Sequence, residues 1–192
     1  MNIFQNKTFW ICTALVSLMA TTRYHHFGSA LTLPDASYAV FFLGGLFLGR
    51  VSGALAILAV LILEAALVDF YAINFQGISA YCVTSAYGFM VFAYAALWFV
   101  GRWFAPRFEL SAKGLASLAV AAAFAGSAAF IIANVSFYLL AGYFDSMSIV
   151  DYVSQVSEYY GSYVVVMLTY VSFAVGVQML SRLNRTQMSA NE

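Results

Sequence analysis

The sequence predicts an all-α integral membrane protein: six transmembrane helices forming a single domain over residues 1–192, with both termini on the cytoplasmic side. Three observations carry this expectation. Of the 192 residues, 64% are apolar or aromatic and 8% are charged, against about 45–50% apolar and about 25% charged in a soluble domain. Mean hydropathy is +0.87. Polar residues break the apolar sequence at intervals that leave room for six spans of about 20 residues with short connections. Eight basic and eight acidic side chains give zero net charge, so the chain has no basic surface for nucleic acid, and its apolar content excludes a disordered chain.

The first apolar run covers residues 8–22 and is followed by Arg23, His25, His26, Pro34 and Asp35. Lys7 could serve as the charged region of a secretory signal. Leu18-Met19-Ala20 is a poor cleavage site, however, and the run is read as an uncleaved span. Residues 36–48 and 52–73 are two spans separated by the tight turn Gly49-Arg50-Val51-Ser52-Gly53. Asn74-Phe75-Gln76-Gly77 ends the third span, residues 79–99 form the fourth, and 102–113, containing Pro106, make a basic loop. An alanine-rich fifth span covers 114–143. In 148–160, Ile149, Tyr152, Val153, Val156 and Tyr160 recur at helical spacing opposite Asp151, Ser154, Gln155 and Glu158. That segment is expected to be an amphipathic lead into a sixth span ending near Arg182.

Lys and Arg accumulate in cytoplasmic loops. Six spans with an inner N-terminus put Lys7, Arg50, Arg102, Arg107, Lys113, Arg182 and Arg185 on one face and only Arg23 on the other. The outer face then carries Asp35, Asp69, Asp145, Asp151, Glu158, His25 and His26. No Gly-x-x-x-x-Gly-Lys phosphate loop is present, so there is no ATP site and energy must come from a partner or a gradient.

Cys12 and Cys82 are expected at opposite depths, too far apart for a disulfide. Cys12 is read as a packing residue. Cys82, near the outer surface, is a candidate ligand for a soft or borderline metal through its thiolate. Asp69 is placed at the outer rim of the third span, as a pocket wall or a solvated carboxylate. Glu64 lies about a turn and a half deeper and is expected to be protonated or bonded within the bundle. His25 and His26 point about 100° apart on a helix, so one at most enters a shared site. Tyr81 and Tyr87 flank Cys82 and offer flat apolar faces with hydroxyls for a large amide-bearing ligand. Three small-residue stripes, Gly45-Gly49-Gly53, Ala125-Ala129-Ala133 and Thr13-Ser17-Thr21, suit close helix packing. The hydroxylated stripe is the best placed of the three to meet a partner.

The stretch Thr22-Arg23-Tyr24-His25-His26-Phe27-Gly28-Ser29-Ala30, the following Pro34-Asp35, Asp69, and the block Ser79-Ala80-Tyr81-Cys82-Val83-Thr84-Ser85-Ala86-Tyr87 resemble the BtuM family of bacterial vitamin B12 transporters. That family is related to the substrate-binding S-components of energy-coupling factor (ECF) transporters. The resemblance implies an S-component-like bundle in the bacterial inner membrane, with cobalamin as the transported ligand in an outward-facing pocket. It implies Cys82 as the cobalt ligand, able to displace the cyano group of cyanocobalamin, so that Cys82 is also the candidate catalytic residue. Asp69, Tyr87, Tyr81 and His26 or His25 would complete the pocket. S-components that dock on a shared ECF energising module carry an Ala-x-x-x-Ala stripe on the first helix, where this chain has Thr13, Ser17 and Thr21. Uptake with such a module and uptake without one both stay open. Two other functions fit the same residues: a membrane thiol enzyme that processes corrinoids without moving them, and a cobalt or nickel permease using Cys82, Asp69 and a histidine.

Overall fold

The structure, a computed structural model, describes residues 7–23 and 33–190, with side chains to residue 181. His25 and His26 lie outside the described residues. Six α-helices follow in order: α1 (Lys7–Thr22), α2 (Ser37–Leu48), α3 (Ala54–Phe75), α4 (Met90–Phe104), α5 (Ala112–Leu140) and α6 (Ile149–Ala190). Short 3-10 turns at Ser85–Phe89 and Ala105–Arg107 flank α4, and no strand occurs among the described residues.

Among the described residues, four segments are long and apolar enough to cross a membrane: Ala54–Phe75, Ser85–Arg107, Ala112–Leu140 and Ile149–Ser181. Six helices are present among the described residues, and four of their segments have the expected span length. With 12 residues, α2 is only about 18 Å long, and α1 has 16 residues. The reason lies in what covers α2. Eleven of its twelve residues are buried, so its apolar circumference faces other helices. A helix hydrophobic all round can be a membrane span or a protein-enclosed core helix, and composition alone does not separate them.

α2 is the post around which the others pack. Phe41 stacks on Tyr94 of α4 with ring centroids 4.0 Å apart, and Trp98 of α4 is fully buried beside Gly44 and Gly45. A Cβ on Gly45 would overlap the Trp98 carbonyl, and one on Gly101 of α4 would overlap the Phe42 carbonyl. Of the glycine stripe, Gly45 and Gly49 therefore serve close approach as expected. Gly53 instead takes φ +82° ahead of α3, with nothing within 4 Å of an added Cβ. Ala125 and Ala129 of α5 are buried. Thr13, Ser17 and Thr21 are exposed, and two of them fold their hydroxyls onto their own helix, Thr13 to the Phe9 carbonyl and Thr21 to the Ser17 carbonyl.

The fourth span starts later than predicted. Gly77, at φ +70°, closes α3, where the amides of Gln76 and Ile78 both reach the Ala72 carbonyl. Ser79 Oγ then accepts from the Tyr81 amide and Thr84 Oγ1 from the Ala86 amide. Such side-chain bonds offer the backbone an alternative to helix, and 77–84 is a loop.

The sixth helix is one continuous rod of 42 residues. It starts with Ser148, whose Oγ accepts from the Asp151 amide at 3.2 Å and donates to the Asp151 carboxylate at 2.6 Å. Only part of the apolar face of its first turns is buried. Tyr152 is buried and Val156 partly so, but Ile149, Val153 and Tyr160 are exposed. Their apolarity suits a lipid-facing surface as well as a packed one.

Replacing Gly45 by Ala is expected to lower the thermal stability of the detergent-solubilised protein by about 1–3 kcal/mol, the usual cost of overpacking. Gly176→Ala, where nothing lies within 4 Å of the new Cβ, should leave the melting temperature unchanged or slightly raised. Equal effects of the two substitutions would contradict the α2–α4 contact.

Candidate functional site

The end of the bundle where α1 and α3 finish carries a buried cation. Arg23 follows the last turn of α1, its amide closing the helix on the Met19 carbonyl, and its side chain is 4% exposed. A guanidinium without water needs its donors satisfied and its charge balanced. Each guanidinium nitrogen has an acceptor, and Asp69 balances the charge. Nε donates to Asp69 Oδ1 at 2.7 Å and to the Ala65 carbonyl at 3.2 Å; Nη2 donates to Asp69 Oδ2 at 2.7 Å. This is the two-pronged arginine–carboxylate geometry that combines charge with direction. Nη1 donates to Ser37 Oγ at 2.7 Å, and Ser37 in turn donates to Asp35 Oδ1 at 2.6 Å. Asp35 itself lies 4.0 Å from Arg23, and the Tyr94 ring lies 5.6 Å from the guanidinium carbon.

Tyr87 extends the cluster into the lead of α4. Its hydroxyl donates to Asp69 Oδ2 at 2.6 Å. One carboxylate thus holds the end of α1, the start of α2 through Ser37, and the 3-10 turn before α4. Two further bonds tighten the same region: the Ala36 amide donates to Thr22 Oγ1, and the Tyr170 hydroxyl of α6 donates to the Pro34 carbonyl at 2.7 Å.

Cys82 sits on the 77–84 loop, exposed and free; Cys12, on α1, is also free, so the two do not pair. Partial burial first, and then the negative charge of Asp69, pushes the Cys82 thiol above its ordinary range. The loop is walled by aromatic rings. Tyr81 stacks on Tyr143 with centroids 4.7 Å apart and meets Phe137 edge-on at 5.6 Å. The Tyr143 hydroxyl reaches back to the Tyr81 carbonyl at 3.4 Å. Phe144 packs edge-on to Tyr152 at 4.8 Å.

The structure therefore joins two of the expected site residues directly, Asp69 and Tyr87, and sets Cys82 within reach of the Asp69 charge. Tyr81 belongs to the loop's aromatic wall and not to the Asp69 cluster. The sequence reading missed Arg23 as the partner of Asp69, and Ser37 as the link from Arg23 to Asp35. Its own tally held the signal: Arg23 is the one basic residue among the acidic side chains of that face, and a rim carboxylate in a membrane helix needs such a partner. Glu64 stands apart, and neither of its buried carboxylate oxygens has a hydrogen-bond partner among the described residues.

No known family model matches the sequence, and no curated protein matches it.

Arg23→Met leaves Asp69 buried without its countercharge and is expected to cost about 3–5 kcal/mol of stability. In the double variant with Asp69→Asn the loss should fall well short of the sum of the two single losses, as measured by thermal or denaturant unfolding in detergent. Strict additivity would show that the pair is not coupled. For Cys82, alkylation by iodoacetamide should keep accelerating as pH rises past the ordinary thiol value of about 8.5. Asp69→Asn should move that rise to lower pH, since removing a nearby negative charge favours thiolate. A plateau below the ordinary value in the parent protein would contradict the assignment.

Proposed function

We propose that this protein is a vitamin B12 uptake transporter of the bacterial inner membrane, binding cobalamin at the Cys82 end of the bundle with the Cys82 thiolate as a cobalt ligand. The observation that carries the reading is an accessible free thiol on a short loop, set among stacked tyrosines and braced by a buried ion pair. A corrin brings its cobalt already held by four ring nitrogens, so one soft protein donor is sufficient, and aromatic faces suit the broad macrocycle. Coordination is a ligand exchange. The Cys82 proton leaves to solvent, the thiolate sulfur donates its electron pair to cobalt, and cyanide departs with its own pair, so cobalt keeps its oxidation state.

The Cys82 end is the outward one in this reading. Supporting that orientation, Arg50 between α2 and α3, Arg102 in the last turn of α4, Arg107 just after it and Lys113 in the first turn of α5 lie at the opposite end, as expected of a cytoplasmic face. All six helices then belong to the membrane domain, with α2 as a short member enclosed by the others. Asp69 and Tyr87 act as the brace that positions the loop, and Tyr81 lines the pocket. His26 or His25 would approach the ligand from the connection between α1 and α2.

The permease for free cobalt or nickel is less favoured by the geometry. A free ion needs several donors from the protein, and both oxygens of Asp69 are already engaged by Arg23 and Tyr87. Among the described residues no three His, Cys, Asp or Glu side chains converge. A thiol enzyme acting on corrinoids without moving them would use the same site, and accumulation of cobalamin in vesicles separates it from a transporter.

Purified protein incubated with cyanocobalamin should retain the corrinoid with a shifted visible spectrum. Cys82→Ala should lose the shift, and cells depending on this protein for cobalamin should lose uptake with it. An unshifted spectrum in the parent protein, or normal uptake by the variant, would contradict the proposal.

A further inference from the structure

Glu64 is the eleventh of the 22 residues of α3, which places it at the middle of a helix long and apolar enough to cross a membrane. Both carboxylate oxygens are buried, and neither has a hydrogen-bond partner among the described residues. The neighbours it shares a groove with are Val60, Leu63, Leu67 and Val68, with Tyr71 two turns further along as the sole hydroxyl. An ionised carboxylate in such a place costs several kcal/mol unless a countercharge joins it. The stable resting form is the neutral acid.

A charge change at this position can reach the Cys82 end through Arg23. The titratable groups on the elements packed against α3 are Lys7 and Cys12 on α1, Arg23 just beyond its end, Tyr38 on α2, and Tyr94 and Arg102 on α4. Of these, Arg23 is the one bonded to α3 beside Glu64, at the carbonyl of Ala65, the next residue along the helix, and it is committed to Asp69. Ionised Glu64 and Asp69 therefore compete for one guanidinium. Losing the Glu64 proton weakens the Arg23–Asp69 brace, and with it the Tyr87 anchor of the Cys82 loop.

We propose that Glu64 is a proton-binding site that couples opening of the ligand pocket, and hence uptake, to a transmembrane proton gradient. A proton suits this position better than sodium, which needs five or six oxygen ligands where the groove supplies a carboxylate and a tyrosine. The coupling rests on the uptake function proposed above. It requires no energising subunit.

The test uses full-length protein in liposomes. Infrared spectra at neutral pH should show a protonated-carboxyl band that disappears in Glu64→Gln; no such difference would overturn the site. Cyanocobalamin accumulation should rise when the outside is made acidic, by up to about tenfold per pH unit for one coupled proton. Glu64→Gln should keep corrinoid binding, read from the spectrum, while losing the response to the gradient. Uptake that ignores the gradient, follows sodium, or still responds in Glu64→Gln overturns the coupling while leaving the cobalamin reading intact. A parent protein that neither binds nor accumulates cyanocobalamin overturns the uptake function itself, and the coupling with it.

Discussion

The need to neutralise one buried guanidinium organises the Cys82 end of this bundle. Arg23 leaves α1 at a buried point, and each of its three guanidinium nitrogens bonds to another element: Nε and Nη2 to Asp69 on α3, Nε also to the Ala65 carbonyl there, and Nη1 to Ser37 at the start of α2. Because Asp69 also accepts from Tyr87, the lead into α4 is fixed by the same charge pair. A buried ion pair contributes modestly to net stability, but it is costly to break on one side only. Its effect here is positional. It sets the register of four elements and holds the irregular 77–84 loop at a defined place above the bundle.

The other half of the architecture is apolar and depends on close approach. α2 lies against α4 with glycines where side chains would collide, and lipid supplies no hydrophobic drive for two helices to meet, so contact area and small residues must do it. The short, enclosed α2 explains how 192 residues make a bundle in which four segments have span length and two do not. The same post carries load to the polar end, since Tyr94 stacks on Phe41 of α2 and also faces Arg23.

Much of this was legible in the sequence, for reasons that vary by residue. The apolar runs marked all six helices because each is bounded by glycine, proline or charge, and the Gly49–Gly53 turn falls where it was expected. What composition could not tell is which apolar helix faces lipid and which faces protein; hence α2 was read as a full span. The start of α4 was misplaced because Ser79 and Thr84 capture backbone amides, a local contest that hydropathy does not register. At the site, Asp69, Tyr87 and Cys82 stood out by chemistry, but the partner of Asp69 lies 46 positions away in the chain. Only the charge imbalance between the two faces hinted at Arg23.

The proposed function rests on one bond, from the sulfur of Cys82 to the cobalt of a corrinoid held at the braced end of the bundle. Cobalt X-ray absorption on the protein loaded with cyanocobalamin tests it most directly, because sulfur scatters differently from nitrogen, oxygen or carbon in the metal's first shell. The account predicts one sulfur neighbour in the parent protein and none in Cys82→Ser. A first shell containing only light atoms in the parent protein would contradict it.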